Sequence, residues 1–405
     1  MLSLARTSGY NHSMRYVFID DSAVAYDGYT PMRRPLGGAE KAVIGMASAL
    51  NERGHEVKVI NRVSYAHMAE GAYWTPFGDT MVPKAADVLI AMRKPALLGT
   101  LRSAAHRLLW VTGAPDYLTA PANEPLWDSF NASLLFLSQN QKRAYAGNVR
   151  NTVVTPGVRR VYFQKPVFTL PGMSMAGEIA PGPADDPHYI QPDPETVAAE
   201  AAAAAAANVP LEPPPPPPHA IVTTHPLQGL DWLIDVWTRL IHPEMPTARL
   251  SVYSVVLSKG LKGEEIPATM LPILEKVMAA IDSHVVVVDP RSDDGMNEAY
   301  RQTRVHLYPG DRQDYACWTL AESQGAGVPA VARGLGGTDE RIDNGQTGFI
   351  VPDDTGFANV TLQILKDDAV YANLHAAAED ATRRRTWSMA AEELDAFVAT
   401  LSARG

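Results

Sequence analysis

Short apolar runs alternate along the chain with segments of helical periodicity. The first run, RYVFI, is followed by the segment GGAEKAVIGMASALNERGHEVKVI, in which Gly54 stands where a helix C-cap glycine belongs. Five apolar residues before it recur at helical spacing: Ala39, Val43, Met46, Ala47 and Leu50. Because EVKVI then reads as a second strand, the order is strand, helix, strand, which predicts a βαβ unit and a parallel sheet.

Further apolar runs predict strands in both halves of the chain. In the first half they are DVLIAM, RLLWVT, SLLFLS and NTVV, and in the second HAIVTT, ARLSVYS, HVVVVDP, RVHLYPG, VPAVA and TGFIV. Short continuous apolar runs are typical of strands buried on both faces of a sheet. We therefore predict an α/β protein with two Rossmann-like domains.

The composition changes between these halves. Residues 165–218 contain an alanine run and end in PPPPPP, which favours polyproline II and resists packing into a core. We predict an N-terminal domain over 1–160, an Ala/Pro-rich inserted linker over 161–218 and a second domain from 219. A proline-rich ligand for a partner protein is the alternative for the insertion.

Charge and cysteine content exclude several classes. The net charge of −10 argues against nucleic acid as the main partner. The single cysteine, Cys317, forbids an intramolecular disulfide, as expected in a reducing cytoplasm. No apolar run approaches the roughly 20 residues that span a bilayer, and we expect no signal peptide. We predict a cytoplasmic protein and leave peripheral membrane contact open.

The segment 309–340 concentrates candidate chemistry. Asp314 and Glu322 stand eight positions apart at the start of a predicted helix, whose N-terminal N–H groups attract anions. If the segment were wholly helical, the two would lie about 12 Å apart, comparable to a nucleotide-sugar from ribose to hexose. Gly336 and Gly337 after the next strand permit a close backbone approach. The alternative is that Asp314 caps the helix and Glu322 is a solvated helix residue.

Several of these segments together resemble family 4 glycosyltransferases of the GT-B type. The matching pieces are GGAEKAVIGMASALNERGHEVKVI, TPGV, GLDWLIDVWTRL, VHLYPG, TLAESQGAGVPAVA, GGTDERIDNGQTGFIVPDD and RRRTWS. The resemblance implies two Rossmann-like domains facing across a cleft, the second over 219–384, and a C-terminal helix over 385–405 that crosses back to the first. It also implies retaining, metal-independent transfer from a nucleotide diphospho-sugar.

The resemblance assigns roles residue by residue. The paired acids of the family fall on Asp314, which would hold donor sugar hydroxyls, and Glu322, which would hold the ribose. The donor-binding positions it implies are Gly37, Gly38, Thr224, His225, Cys317, Trp318, Thr319, Gly336 and Gly337. It assigns no metal ligand and no cofactor besides the donor co-substrate.

The sequence departs from the family at the positions that bind the donor diphosphate. The usual Arg/Lys pair is missing, and Thr224, His225 and Gln228 stand in that loop. The first acid is aspartate instead of glutamate, and the usual histidine after the fourth N-terminal strand is not evident. Four cations are candidates to compensate: Lys259, Lys262, Arg312 and Arg333.

Two classes of function follow from these patterns. The leading hypothesis is a glycosyltransferase of glycan biosynthesis, with a nucleotide-sugar donor and a sugar, glycan or lipid-linked acceptor. The alternatives are a non-catalytic nucleotide-sugar or glycan-binding protein of the same fold and a related epimerase or phosphorylase. Catalysis of NAD-dependent oxidation is disfavoured because G-x-G-x-x-G is absent.

Overall fold

A computed structural model describes residues 13–80, 82–164, 215–380 and 383–403. Its strands are β1 (Arg15–Ile19), β2 (Glu56–Asn61), β3 (His67–Ala69), β4 (Ala72–Pro76), β5 (Ala85–Met92), β6 (Ser103–Trp110), β7 (Ala132–Phe136), β8 (Asn151–Val153), β9 (His219–Val222), β10 (Arg249–Tyr253), β11 (Val285–Val288), β12 (Val305–Tyr308), β13 (Ala330–Arg333) and β14 (Gly348–Val351). They form an eight-stranded sheet, β3-β4-β2-β1-β5-β6-β7-β8, and a six-stranded sheet, β11-β10-β9-β12-β13-β14. Apart from β3, which pairs antiparallel with β4, the strands are parallel.

The α-helices lie on these sheets. They are α1 (Thr30–Arg33), α2 (Gly38–Glu52), α3 (Glu124–Phe130), α4 (Gln139–Ala144), α5 (Leu230–Val236), α6 (Val255–Leu261), α7 (Leu271–Ala279), α8 (Asp293–Arg301), α9 (Trp318–Gly325), α10 (Asp354–Lys366), α11 (Asp368–Glu379) and α12 (Trp387–Ser402). None of the helices in the described part of the chain is long and apolar enough to cross a membrane.

Every strand predicted from an apolar run is present, and the hairpin of β3 and β4 was missed. Its turn residues, Glu70 and Gly71, both have positive φ, at 44° and 79°. Two positive values match a type I′ turn, for which glycine is the usual sequence signal. The short strands on either side did not show a clear alternation. The predicted linker falls largely on residues outside the described ones.

The C-terminal helix α12 packs on the eight-stranded sheet's side of the molecule, as predicted. Its apolar face joins the same core as β1, β2 and α2. Asp395 on α12 accepts hydrogen bonds from the Tyr16 hydroxyl at 2.7 Å and from the Arg53 Nε at 2.6 Å. The Trp387 ring lies against Gly45 of α2, where an added Cβ would overlap it. The chain therefore returns to its first sheet after completing the second.

The six-stranded sheet places the candidate residues at one edge. In parallel sheets, ligands bind beyond the carboxyl ends of the strands. The loops that follow β9, β12 and β13, which are neighbours in this sheet, carry Thr224, Asp314 and Gly336 respectively. The fold thus brings these three loops together although about 110 residues separate the first from the last.

Candidate active site

Helix α9 begins at Trp318, after a residue in a left-handed conformation. Cys317 has φ 46° and ψ 51°, a region that side-chain-bearing residues seldom adopt. Its thiol is fully buried and donates to the Asp314 carbonyl at 3.3 Å, and burial raises its pKa. Thr319 follows in the first turn and is partly buried. Cys317 is therefore a packed residue at a strained turn, and a thiol held protonated is a poor nucleophile.

Asp314 lies in the loop before α9, so the segment up to Glu322 is not wholly helical. Its carboxylate accepts a hydrogen bond from the Cys317 amide at 2.9 Å and another from the Tyr308 hydroxyl. Burial raises the pKa of this carboxyl, although both hydrogen bonds oppose the shift. The first bond is the cap-like contact that was the alternative for Asp314. Its role toward a donor sugar stays a prediction.

The glycines after β13 make their close approach to the protein's own backbone. Gly336 has φ 62°, and a Cβ there would meet the carbonyl oxygens of Asp311 and Asp314. A Cβ on Gly337 would overlap the Tyr315 carbonyl, and the Gly337 amide donates to the Asp314 carbonyl at 2.9 Å. The absence of side chains at these two positions therefore lets the loop that carries Asp314 pack against this backbone.

The first turns of α2 and α9 face each other. Gly37 is the N-cap of α2, and the indole of Trp318 lies where a Cβ on Gly38 would be. Each helix start presents unpaired N–H groups and a partial positive charge. Two such ends close together favour a ligand with several negative charges, such as a diphosphate.

Glu322 is buried in an ion cluster that joins the two sheets. Its Oε1 lies 2.7 Å from the Lys41 ammonium of α2, and that ammonium lies 2.6 Å from Asp293 at the start of α8. The Tyr162 hydroxyl donates to Asp293 at 3.0 Å. Glu322 is 8% exposed, so the alternative of a solvated helix residue is wrong.

Burial and neighbouring charges shift the pKa values of Glu322 and Lys41 in this cluster. Burial raises the pKa of Glu322, and Asp293 adds to that rise while Lys41 opposes it. Burial alone would lower the pKa of Lys41, but Glu322 and Asp293 outweigh it and raise that pKa. One ammonium between two carboxylates therefore stays charged, and it is the nearest cation to Glu322.

Two arginines, Arg159 and Arg341, lie close to Lys41 and Glu322. Arg159 donates to Glu70 at 3.1 Å and faces Asp293 at 3.5 Å, and its NH1 is buried with no hydrogen-bond partner among the described residues. Arg341 donates from Nε and NH2 to the Ala316 carbonyl, at 3.1 and 3.0 Å. Together with Lys41 and Glu322 they line a small cavity beside Trp318.

The loop after β9 provides no cation. Thr224 is buried, and its hydroxyl has no partner in the described part of the chain. His225 accepts a hydrogen bond on Nδ1 from the Leu227 amide at 3.3 Å, and partial burial of its ring lowers the pKa of the imidazole. Because that imidazole is neutral near pH 7, it can donate a hydrogen bond to a phosphate but adds no charge there.

Three of the four proposed substitute cations, Lys259, Lys262 and Arg333, are engaged elsewhere. Lys262 pairs with Asp289 at 2.9 Å, and Lys259 lies 3.9 Å from Glu264. Arg333 is stacked 4.2 Å from the Trp232 ring centre and donates to the Pro309 carbonyl. Sequence reasoning missed Lys41, Arg159 and Asp293. Lys41 alone had a local signal, since it follows Gly38 by three positions on the same helix.

Comparisons with known proteins agree with this architecture. Residues 220–367 match the family described as "Glycosyl transferases group 1". The D-inositol 3-phosphate glycosyltransferase of Corynebacterium diphtheriae is 29% identical over 117 residues, which are 28% of this chain and 27% of that protein. The phosphatidyl-myo-inositol mannosyltransferase of Mycobacterium leprae is 27% identical over 124 residues, 30% of this chain and 33% of that protein. The chain thus spans about a quarter to a third of the length of these two curated relatives.

Solved structures match over nearly the whole chain. Sucrose-phosphate synthase from Thermosynechococcus elongatus has a TM-score of 0.63 at 13% identity, covering 97% of this chain and 100% of that one. Anabaena HepE in complex with UDP and glucose has a TM-score of 0.62 at 14% identity, covering 96% and 100%. At this identity the likeness shows the fold. With the family match over residues 220–367, it supports membership of the chain in the family 4 glycosyltransferases of the GT-B type.

Proposed function

We propose that the protein transfers a sugar from a nucleoside diphospho-sugar to an acceptor hydroxyl, with retention of anomeric configuration and without a metal ion. The observation that carries this proposal is the buried Glu322 carboxylate on α9, beside two opposed helix starts. A carboxylate accepts hydrogen bonds from a ribose diol, and helix N-termini bind phosphates. The similar structure of Anabaena HepE is in complex with UDP and glucose, which supports a donor of this class.

In this mechanism Lys41 replaces the missing basic pair. The ribose hydroxyls donate hydrogen bonds to Glu322 in place of Lys41. The Lys41 ammonium then turns toward the diphosphate, which lies between the starts of α2 and α9. Arg159, with an unpaired N–H on the same cavity wall, adds a second cation. A cation at the leaving phosphate stabilises the charge that develops as the anomeric C–O bond breaks.

The transfer step conserves its atoms and charge. The bond between the anomeric carbon and the β-phosphate oxygen breaks, and a bond to the acceptor oxygen forms on the same face of the sugar. The acceptor proton passes to the departing phosphate oxygen. Asp314, at the N-terminal end of α9, is the residue assigned to orient the donor sugar through its hydroxyls.

The proposal is tested by incubating the protein with UDP-, GDP- and ADP-sugars and measuring nucleoside diphosphate release. We expect release with at least one donor, unchanged by EDTA. Lys41→Met should lower turnover on the order of 100-fold, whereas Lys262→Met, a change at an exposed lysine, should not. Tight donor binding with no release, even by slow hydrolysis, would favour the non-catalytic binding protein.

A further inference from the structure

A second, larger cavity lies beside the C-terminal half of α9. Its volume is about 440 Å³, and it is bounded by the segments 339–343 and 383–385 and by Phe163. Glu322 and Lys41 line the smaller cavity and are not among the residues that line this one. The larger cavity therefore adjoins the proposed donor site, with which it shares Val158, Ala321 and Arg341, but it does not include Glu322 or Lys41.

The wall of this cavity is rich in arginine, and its carboxylates are already bonded. Its arginines are Arg341, Arg383, Arg384 and Arg385, against Asp339, Glu340 and Asp343. Glu340 accepts hydrogen bonds from the amides of Gln139 and Asn140 at 2.8 and 2.7 Å. Asp339 accepts from the Asn140 side chain at 2.5 Å, and Asp343 pairs with Arg383.

Two of the four arginines lack a carboxylate partner within the described residues. Arg385 pairs with Glu393 at 2.5 Å, but neither Arg341 nor Arg384 makes an ion pair there. The Arg384 guanidinium lies 5.3 Å from the Phe163 ring centre, and its Nε is buried with no hydrogen-bond partner. A buried donor left unpaired is costly unless a ligand completes it.

We propose that this arginine cavity binds the phosphate group of a phosphorylated small molecule. Guanidinium groups match phosphate oxygens in geometry and charge. The volume lies within the range of small-molecule pockets, about 300–1,000 Å³. A phosphate monoester of a sugar is therefore the class of ligand that fits both the charge and the space. This inference does not depend on the proposed transfer reaction.

Isothermal titration with glucose 6-phosphate and with inorganic phosphate tests the proposal on the full chain. We expect saturable binding of glucose 6-phosphate, weakened about tenfold or more by Arg384→Gln and largely restored by Arg384→Lys. Arg239→Gln, a change at an exposed arginine of the same domain, should leave it unchanged. Binding of inorganic phosphate with equal affinity supports the site but assigns it to phosphate alone.

Competition separates this cavity from the donor cleft. Saturating UDP should leave the affinity for glucose 6-phosphate unchanged, since the proposed donor contacts, Glu322 and Lys41, do not line the arginine cavity. The proposal is overturned if neither probe binds, if Arg384→Gln binds like the unsubstituted protein, or if UDP abolishes the binding. Failure of sugar transfer in the assay above would not affect any of these outcomes.

Discussion

At the residue scale, the contact between Lys41 and Glu322 links positions 281 apart in sequence. Both side chains are largely buried, and a buried charge is tolerated only when it is paired. The pair therefore links a helix of the first sheet, α2, to a helix of the second, α9. If Glu322 binds the donor ribose as proposed, donor binding must break this pair, and the nucleotide and Lys41 compete for one carboxylate.

Glu322→Ala is expected to weaken UDP binding about tenfold or more, because a charge-assisted hydrogen bond to ribose contributes on the order of 1.5–3 kcal/mol. Isothermal titration of the folded variant measures this loss. Glu298→Ala, at an exposed position of α8, is the matched control. If Glu322→Ala binds UDP like the unsubstituted protein, the ribose assignment is wrong and Glu322 serves only the ion cluster.

His306 gives a second prediction at this scale. It is fully buried between Ser323, at 2.7 Å, and Thr223, at 3.1 Å, and burial lowers the pKa of its imidazole to about 3. The unfolded chain takes up this proton near pH 6.5, but the folded protein does not. The stability that neutral His306 contributes is thus complete above pH 6.5 and is lost as pH falls from 6.5 toward 3.

Between pH 8 and pH 5, this histidine should account for a loss of about 2 kcal/mol in the free energy of unfolding. His306→Gln keeps a hydrogen-bonding side chain but cannot titrate, so its loss over the same range should be smaller by that amount. Urea unfolding at both pH values measures the difference. Equal losses in the two proteins would mean that His306 is not the group responsible.

At the element scale, α2 has two functions along its length. Its first turn carries Gly38 and Lys41 toward α9, and its middle contacts α12 at Gly45. An added Cβ at Gly38 would overlap Trp318, and one at Gly45 would overlap Trp387. The absence of side chains at these positions is what lets the same helix approach both neighbours, although glycine costs helix propensity of about 1 kcal/mol.

Gly45→Ala should therefore destabilise the protein by about 1–3 kcal/mol through overpacking, despite the better helix propensity of alanine. Gly356→Ala is the control within α10, since a Cβ there meets its neighbours no closer than 3.3 Å. Thermal or urea unfolding gives both values. Adding Trp387→Phe should recover part of the loss, and a Gly45→Ala protein as stable as the parent would contradict the packing argument.

At the scale of the whole molecule, the described residues of both sheets form one compact unit. Direct bonds join them: the Glu340 carboxylate accepts from the first amides of α4, and Arg341 donates to the Pro156 carbonyl at 3.4 Å. The insertion over 165–214 is rich in alanine and proline, a composition that resists packing into a core or a binding cleft.

Deleting about residues 175–215 is accordingly expected to leave nucleotide affinity within about threefold, less than 1 kcal/mol. Isothermal titration with UDP measures it, and circular dichroism with a thermal melt establishes that the shortened protein is folded. Complete loss of UDP binding in a folded deletion protein would show that the insertion takes part in the site.

The sequence by itself determined the strands other than β3 and β4, helix α2 and the positions of the two candidate acids. Strands buried on both faces need unbroken apolar runs, and a helix packed on a sheet needs apolar residues at helical spacing. Both patterns can therefore be recognised in a short stretch of sequence. Only the tertiary structure showed that Lys41, Asp293 and Glu322 meet, that Asp314 caps the turn into α9 and that Gly336 and Gly337 contact backbone. These contacts join residues far apart in sequence. Their geometry depends on how the loops at the strand ends converge, and no local pattern of apolar and polar positions records that convergence.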